Sequence, residues 1–368
     1  MRSPERSVRD IYPLSPLQAG MLFQHLLRPE DTANLVQQTY VIEGRLDADL
    51  FRRAWRVVAE RHDALRTAVV WEGLDEPLQV VLDEVEPGFE FLDWRPLPER
   101  ERDRLLAEFL DADWTRGIDL TDAPLLRLTL IRVAERRHLL VCTNHHIVLD
   151  GWSKSILLGE VASLYGATSG VPSEPVPYRA FVEDLRGRSR GAEVYWRDAL
   201  AGMIPTPLAG REAGRPNGGR ESIRLGVGEQ ETVRARELAR RLRVSFATLL
   251  QSAWAAIMSA WTGSRDITYG LTLSGRDGEL AAAGSIVGLL INTVPVRVRL
   301  GAHDTLATAA AALQRQLGDL RPHAAAPLTD VAAWAGSPAG EPLFDTLLIV
   351  DPERLQSPGD VSLSDVSP

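Results

Sequence analysis

One cysteine, Cys142, stands in 368 residues, so no internal disulfide can form and stability must come from packing. One lysine, Lys154, stands among 41 basic residues; the others are all arginine. That leaves one side-chain amine for Schiff-base chemistry, with nothing around it that asks for such chemistry. Positive charge is in deficit. The 41 basic against 50 acidic residues give a net charge of −9, which argues against nucleic acid or an anionic membrane as partner. No run of about 18 apolar residues occurs, and the opening MRSPERSVRD lacks a signal-like apolar stretch. A soluble, cytoplasmic protein is the expectation. What is abundant is core-forming material: 45% of the chain is hydrophobic, and 368 residues suit two lobes of about 150–200 residues.

The chain is organised around Thr143–Ser153, TNHHIVLDGWS. The apolar LLVCTNHH before the histidines reads as a buried strand, and SKSILLGEVASLYGA after them carries a helical period. The histidines thus stand where a strand ends and a helix is about to begin. Histidine is the side chain whose ordinary pKa allows a base near neutral pH. Asp150, four residues past His146, could fix a ring or pin the turn through an arginine. Gly151 lets backbone approach a ligand closely. The competing reading is a pair of hydrogen-bonded core histidines. A zinc site lacks a second His/Cys cluster of ligand spacing. Cys142 with His146 would make a nucleophile pair, but a lone Cys within an apolar strand is more often core.

HHIVLDGWS resembles the HHxxxDG motif of condensation domains from nonribosomal peptide synthetases, whose fold is related to chloramphenicol acetyltransferase. Further stretches resemble that family in order. DIYPLSPLQAGMLFQHLL (10–27) resembles its first motif, in the variant typical of domains that accept a D-configured donor. RHDALRT (61–67) resembles the second, Tyr178-Arg179-Ala180-Phe181 a YxDF motif with alanine for the acid, and Ser274-Gly275-Arg276 a common triplet. VGLLINT (287–293) resembles VGxFxNT, with Leu290 where phenylalanine is usual.

The resemblance implies an α/β (α+β) fold. Two chloramphenicol-acetyltransferase-like sandwich lobes form a V with a central cleft, and the second lobe is incomplete, with an exposed sheet edge. The lobes are expected at 1–168 and 178–350, joined by the Pro-rich linker 169–177, with a disordered tail over 351–368. It also implies a function, amide formation between a donor aminoacyl or peptidyl thioester and the amine of an acceptor aminoacyl thioester. His146 would be the base, and the Gly151 N–H, with Ser153, would meet the oxyanion. His145 and Asp150 would be structural, with Arg66, Arg61 and Arg276, in that order, as partners for the Asp150 carboxylate. Trp152 and Asn292 would line the substrate tunnel. No cofactor of its own is implied, because the phosphopantetheine belongs to the partners. Those are donor and acceptor peptidyl carrier proteins, with an adjoining adenylation domain. An ester-forming acyltransferase and a non-catalytic docking module remain as alternatives.

Overall fold

The computed structural model describes residues 7–28, 32–166, 174–189, 191–206, 223–276, 280, 282–338 and 341–350. Contacts divide the chain into two compact units. Among the described residues, the first lies within 7–184 and 275–291, and the second within 185–274 and 292–350. The sequence reading ends the first lobe at 168. In the structure the YRAF stretch and the segment from Gly275 to Ile291 also pack with the first unit, because their side chains find their partners there (below). The Pro-rich linker falls partly, and residues 207–222 and 351–368 wholly, outside the described residues.

The first unit runs β1 (Val8–Pro13), α1 (Pro16–Leu27), β2 (Leu35–Glu43), α2 (Ala48–Arg61), β3 (Thr67–Val70), β4 (Leu78–Leu82), β5 (Gly88–Asp93), α3 (Glu99–Thr115), β6 (Leu126–Ala134), β7 (Arg137–His145), α4 (Gly151–Tyr165) and the greater part of α5 (Tyr178–Arg188). One sheet orders β1-β4-β3, the other β2-β7-β6-β5. β6 and β7 form the hairpin their alternation predicts, and β7 also pairs antiparallel with β2, so the strand that delivers the histidines is held on both edges. β5 lies parallel to β6, and α3 supplies the crossover that a parallel pair requires. β1 and β5 had no strand signal clear enough to read from the sequence.

Alternation gives the four-stranded sheet two faces. Leu126, Leu128, Leu130, Leu140 and Cys142 face the main core, which α2 and α4 close with Phe51, Trp55, Val58, Leu157 and Val161. On the opposite face Gln37 of β2, Thr143 of β7 and Arg127 of β6 all bond to Asp113 of α3. Asp47 caps α2, its side chain accepting from the N–H of Asp49 at 2.9 Å and of Leu50 at 3.0 Å.

The second unit runs α6 (Ala192–Ala199), α7 (Glu229–Leu242), α8 (Phe246–Thr262), β8 (Asp266–Leu273), β9 (Asn292–Arg299), α9 (Leu306–Leu320), α10 (Leu328–Trp334) and β10 (Leu347–Leu348), with sheet order β10-β8-β9. Three stretches depart from what their apolar residues predict, which is strands for ESIRLGV and LFDTLLIV and a helix buried all round for α8. The described part of ESIRLGV is not a strand. LFDTLLIV contributes only two residues of strand. The nearly all-apolar α8 is not buried all round: Trp261 is 75% exposed, with Ile257 also outward. Its buried side, with Ala255 and Met258, is what packs the core against Tyr269 and Val296. No single described helix is long and apolar enough to cross a membrane.

Candidate functional site

β7 ends at His145, and the next residues turn sharply. The N–H of His145 donates to Leu125 O at 3.1 Å and that of His146 to Asn34 O at 2.7 Å, so both neighbouring chain segments grip the turn. Gln18, in the first turn of α1, completes the grip. Its side chain donates to Ile147 O at 2.8 Å and to Gln79 Oε1 at 2.9 Å. Gln79 in turn donates to Pro13 O at 3.1 Å. Ser15 and Gln18 form a reciprocal cap at the same helix start. Gln18 and Gln79 went unread as site residues. The available signal was a glutamine inside an otherwise apolar helix start, which burial obliges to find partners.

The two histidines differ. His145 is buried, and its Nδ1 accepts from the Ile147 N–H at 3.2 Å, which puts the ring proton on Nε2. Burial, with the neighbouring His25 and His146 rings, pushes its pKa down to about 4. His25 of α1 meets it edge-on at 6.1 Å. His145 is therefore a neutral ring at pH 7, held by the backbone of its own turn. His146 is only part-buried, and its Nδ1 makes no hydrogen bond of standard geometry among the described residues. Burial lowers its pKa too, so it stands as a neutral imidazole able to accept a proton.

Asp150 caps α4, its Oδ1 accepting from the Ser153 N–H at 2.8 Å. The carboxylate faces an arginine rather than His146, but the arginine is Arg276. Its Nη2 lies 3.0 Å from both carboxylate oxygens. The Leu290 N–H donates to Oδ2 at 3.0 Å. Arg66 and Arg61, ranked ahead of Arg276 because their stretch resembles the family's second motif, are corrected. Arg66 pairs with Asp63 at 2.7 Å and donates to the carbonyls of Ala59, Leu82 and Asp83. Arg61 pairs with Glu160, which also meets His62. Both arginines brace the end of α2, and neither approaches Asp150 in these contacts.

Ser153 does not have the free hydroxyl expected of it. It is fully buried, and its Oγ donates to Gly288 O at 2.8 Å while accepting from the Gly288 N–H and from Arg276 Nη2, each at 3.0 Å. A hydroxyl has one proton to give, and this one is spent, so Ser153 is a structural bridge. Gly151 fits better. It is exposed, and its N–H and that of Trp152 make no hydrogen bond among the described residues, as the first donors of a helix do. Trp152 donates through Nε1 to Gly284 O at 2.8 Å and lies over the Arg276 guanidinium at 5.5 Å. Asn292 belongs to the second unit, where its amide donates to Ala324 O at 2.5 Å. Cys142 is a core residue whose thiol burial pushes up to about 12, which removes it as a nucleophile. Among the described residues no group of three or more His, Cys, Asp or Glu could hold a metal ion.

Gly275 and Gly288 explain why the 275–291 segment can close on this site. Gly275 has φ +68°, and a Cβ there would stand 1.7 Å from Leu290 O; a Cβ on Gly288 would stand 2.1 Å from the Tyr178 ring. Tyr178 itself donates to Leu289 O at 2.7 Å, so the YRAF tyrosine is packing and hydrogen bonding, not chemistry.

With this geometry in view the similarities to known proteins are informative. The family model of the condensation domain matches residues 8–366. Two of the linear gramicidin synthase proteins of Brevibacillus parabrevis are 35% and 36% identical, over 93% and 94% of this chain. Surfactin synthase subunit 3 of Bacillus subtilis (strain 168) is 31% identical over 95%. The chain spans only 5%, 7% and 28% of those relatives' lengths, respectively. Among solved structures, the starter condensation domain of rhizomide synthetase, in a mutant form with C8-CoA and Leu-SNAC, matches with a TM-score of 0.76 at 23% identity. That match covers 93% of this chain and 78% of that one. The first condensation domain of the calcium-dependent antibiotic synthetase matches at 0.73 and 20%, covering 93% and 80%. These last two speak for the fold.

Proposed function

This chain belongs to the condensation-domain family, and from that premise we propose that it forms an amide between two carrier-borne thioesters. The donor is an aminoacyl or peptidyl group, D-configured by the wording of the first motif, on the phosphopantetheine arm of one peptidyl carrier protein. The acceptor is an aminoacyl thioester on another, within a synthetase that also holds an adenylation domain. The observation that carries the reading is the contrast at 145–151. One histidine is locked and buried, its neighbour is part-exposed with no partner at Nδ1 among the described residues, and the Gly151 N–H stands unengaged one turn away.

The chemistry follows from those groups. An aminoacyl α-amine has a pKa near 7.7–8, so it is partly protonated at neutral pH. His146 accepts its proton, or holds the free amine, as the nitrogen attacks the thioester carbon. The new C–N bond raises an oxyanion, toward which the Gly151 N–H is disposed. Collapse breaks the C–S bond, and the thiolate takes the proton that His146 received. Asp150 supplies none of this directly, because its charge is committed to Arg276. Trp152 is retained in the proposal as a tunnel-lining residue.

The test is a single-turnover condensation with loaded donor and acceptor carriers. His146→Ala should lose about two to four orders of magnitude, the usual contribution of general base catalysis, while binding loaded carriers as the native protein does. Wild-type product from the variant would remove His146 from the mechanism. Carrier binding without product by the native protein would make this a docking module, and turnover with a hydroxyl acceptor alone would make it an ester synthase.

A further inference from the structure

Asn144 lies on β7 immediately before the two histidines and is fully buried. Its Nδ2 donates to His145 O at 2.9 Å, which fixes the amide, since the reverse orientation would set two oxygens against each other. Oδ1 is therefore an acceptor, and it has no partner among the described residues. On α2, Trp55 is 2% exposed, and its indole N–H is a donor with no partner among them either. Burial ordinarily obliges such groups to pair. Both residues border one small cavity of about 10 Å³, close to the volume of a single water-sized sphere. Tyr40 and Lys154 border it too, joined to each other through Gln38 Oε1, which accepts from Tyr40 at 2.9 Å and from Lys154 Nζ at 2.8 Å. Most of the remaining wall is leucine, Leu126 and Leu157 among them.

We infer that one buried water molecule bridges Trp55 and Asn144 in this cavity and ties α2 to the end of the strand that delivers the histidines. The site needs a molecule that accepts from an indole N–H and donates to an amide oxygen. Water does both, whereas an ammonium ion cannot accept and a chloride ion cannot donate. Nothing larger fits the volume. A buried water ordinarily has two to four polar partners, and four polar side chains border this space. The other holds on the turn come from Leu125 O and Asn34 O, which accept the His145 and His146 N–H groups, and from Gln18 of α1 on Ile147 O. The water adds α2 to them, through the residue whose amide already grips His145 O.

A high-resolution crystal structure of the native protein tests this without any variant. Density for one water should stand within about 2.7–3.2 Å of both Trp55 Nε1 and Asn144 Oδ1. No density there, or a direct hydrogen bond between the two side chains that closes the cavity, overturns the inference. In solution, Trp55→Phe keeps a ring on α2 and removes the N–H. The backbone amides of His145 and His146 should then exchange with deuterium about tenfold faster relative to those of Leu130 and Leu140 in the same sheet, as expected for the loss of about one net hydrogen bond. A uniform change across the sheet refutes the tie to the histidine turn. Neither measurement depends on turnover, so failure of the native protein to condense thioesters would overturn the proposed function alone.

Discussion

Two buried guanidiniums in the first unit, Arg66 and Arg276, look alike in isolation and do different work. Arg66 closes on what is near in sequence. Asp63 is three residues away, Ala59 seven, and Leu82 and Asp83 sixteen and seventeen. It ties the end of α2 to β4 and carries no group of the site. Arg276 reaches 126 residues back to Asp150 and 123 to Ser153. It fixes the helix start that follows His146 and, with Trp152 above it, fastens a segment from late in the chain onto that helix. The same chemistry therefore gives stability in one place and geometry of the site in the other, and what separates them is what the partner carboxylate is attached to.

The sharpest way to break this comparison is to disarm both pairs. Asp150→Asn leaves Arg276 buried without its counter-charge, which should cost about 3–5 kcal/mol, and turnover should fall with it because the start of α4 carries Gly151. Arg66→Met should cost stability of the same order, yet the protein still folded at low temperature should condense thioesters at the native rate. Thermal melts paired with single-turnover assays at about 10 °C separate the two. Equal loss of turnover in both variants would mean that the Arg66 clamp also shapes the site.

A smaller effect tests Ser153. Ser153→Ala removes the bridge to Gly288 and should cost about 1–3 kcal/mol, the range for a buried group left unpaired. Because its hydroxyl proton is already spent, the rate of the folded variant should change little at pH 8. A loss of a hundredfold or more with unchanged melting would return Ser153 to the oxyanion site.

The smallest expected effect is in acid. His138 is buried with both ring nitrogens unpaired among the described residues, and burial, with Arg132 and Arg95 nearby, lowers its pKa to about 4. His145 is lowered to about 4 as well. Both folded values lie below the unfolded value of about 6.5, so between these limits the unfolded chain takes up protons that the folded chain refuses. Stability should therefore decline as pH falls from about 6.5 to 4. His138→Phe should flatten part of that decline in denaturant titrations and leave turnover alone, whereas an unchanged slope would place the acid sensitivity elsewhere.

Much of this was legible in the residues. The alternation of β6 and β7, the amphipathic period of α2, and Asp150-Gly151 before an apolar helical run are local signals, and local backbone and side-chain chemistry enforces them. They place His146 at the end of a strand and Asp150 at a helix cap without further help. The choice among Arg61, Arg66 and Arg276 was not legible, because a motif's resemblance says nothing of which buried charge will meet which. The occupied hydroxyl of Ser153 and the hold of Gln18 on Ile147 O were hidden for the same reason.

By itself, then, the sequence determined the elements around the histidines and the family, because each depends on residue type and short spacing. Tertiary structure alone decided which groups remain free to act. Burial obliges most polar groups to find a partner, and partners that lie 61 to 135 residues apart, such as Gln18 with Gln79 or Ser153 with Gly288, are chosen only when the chain has packed.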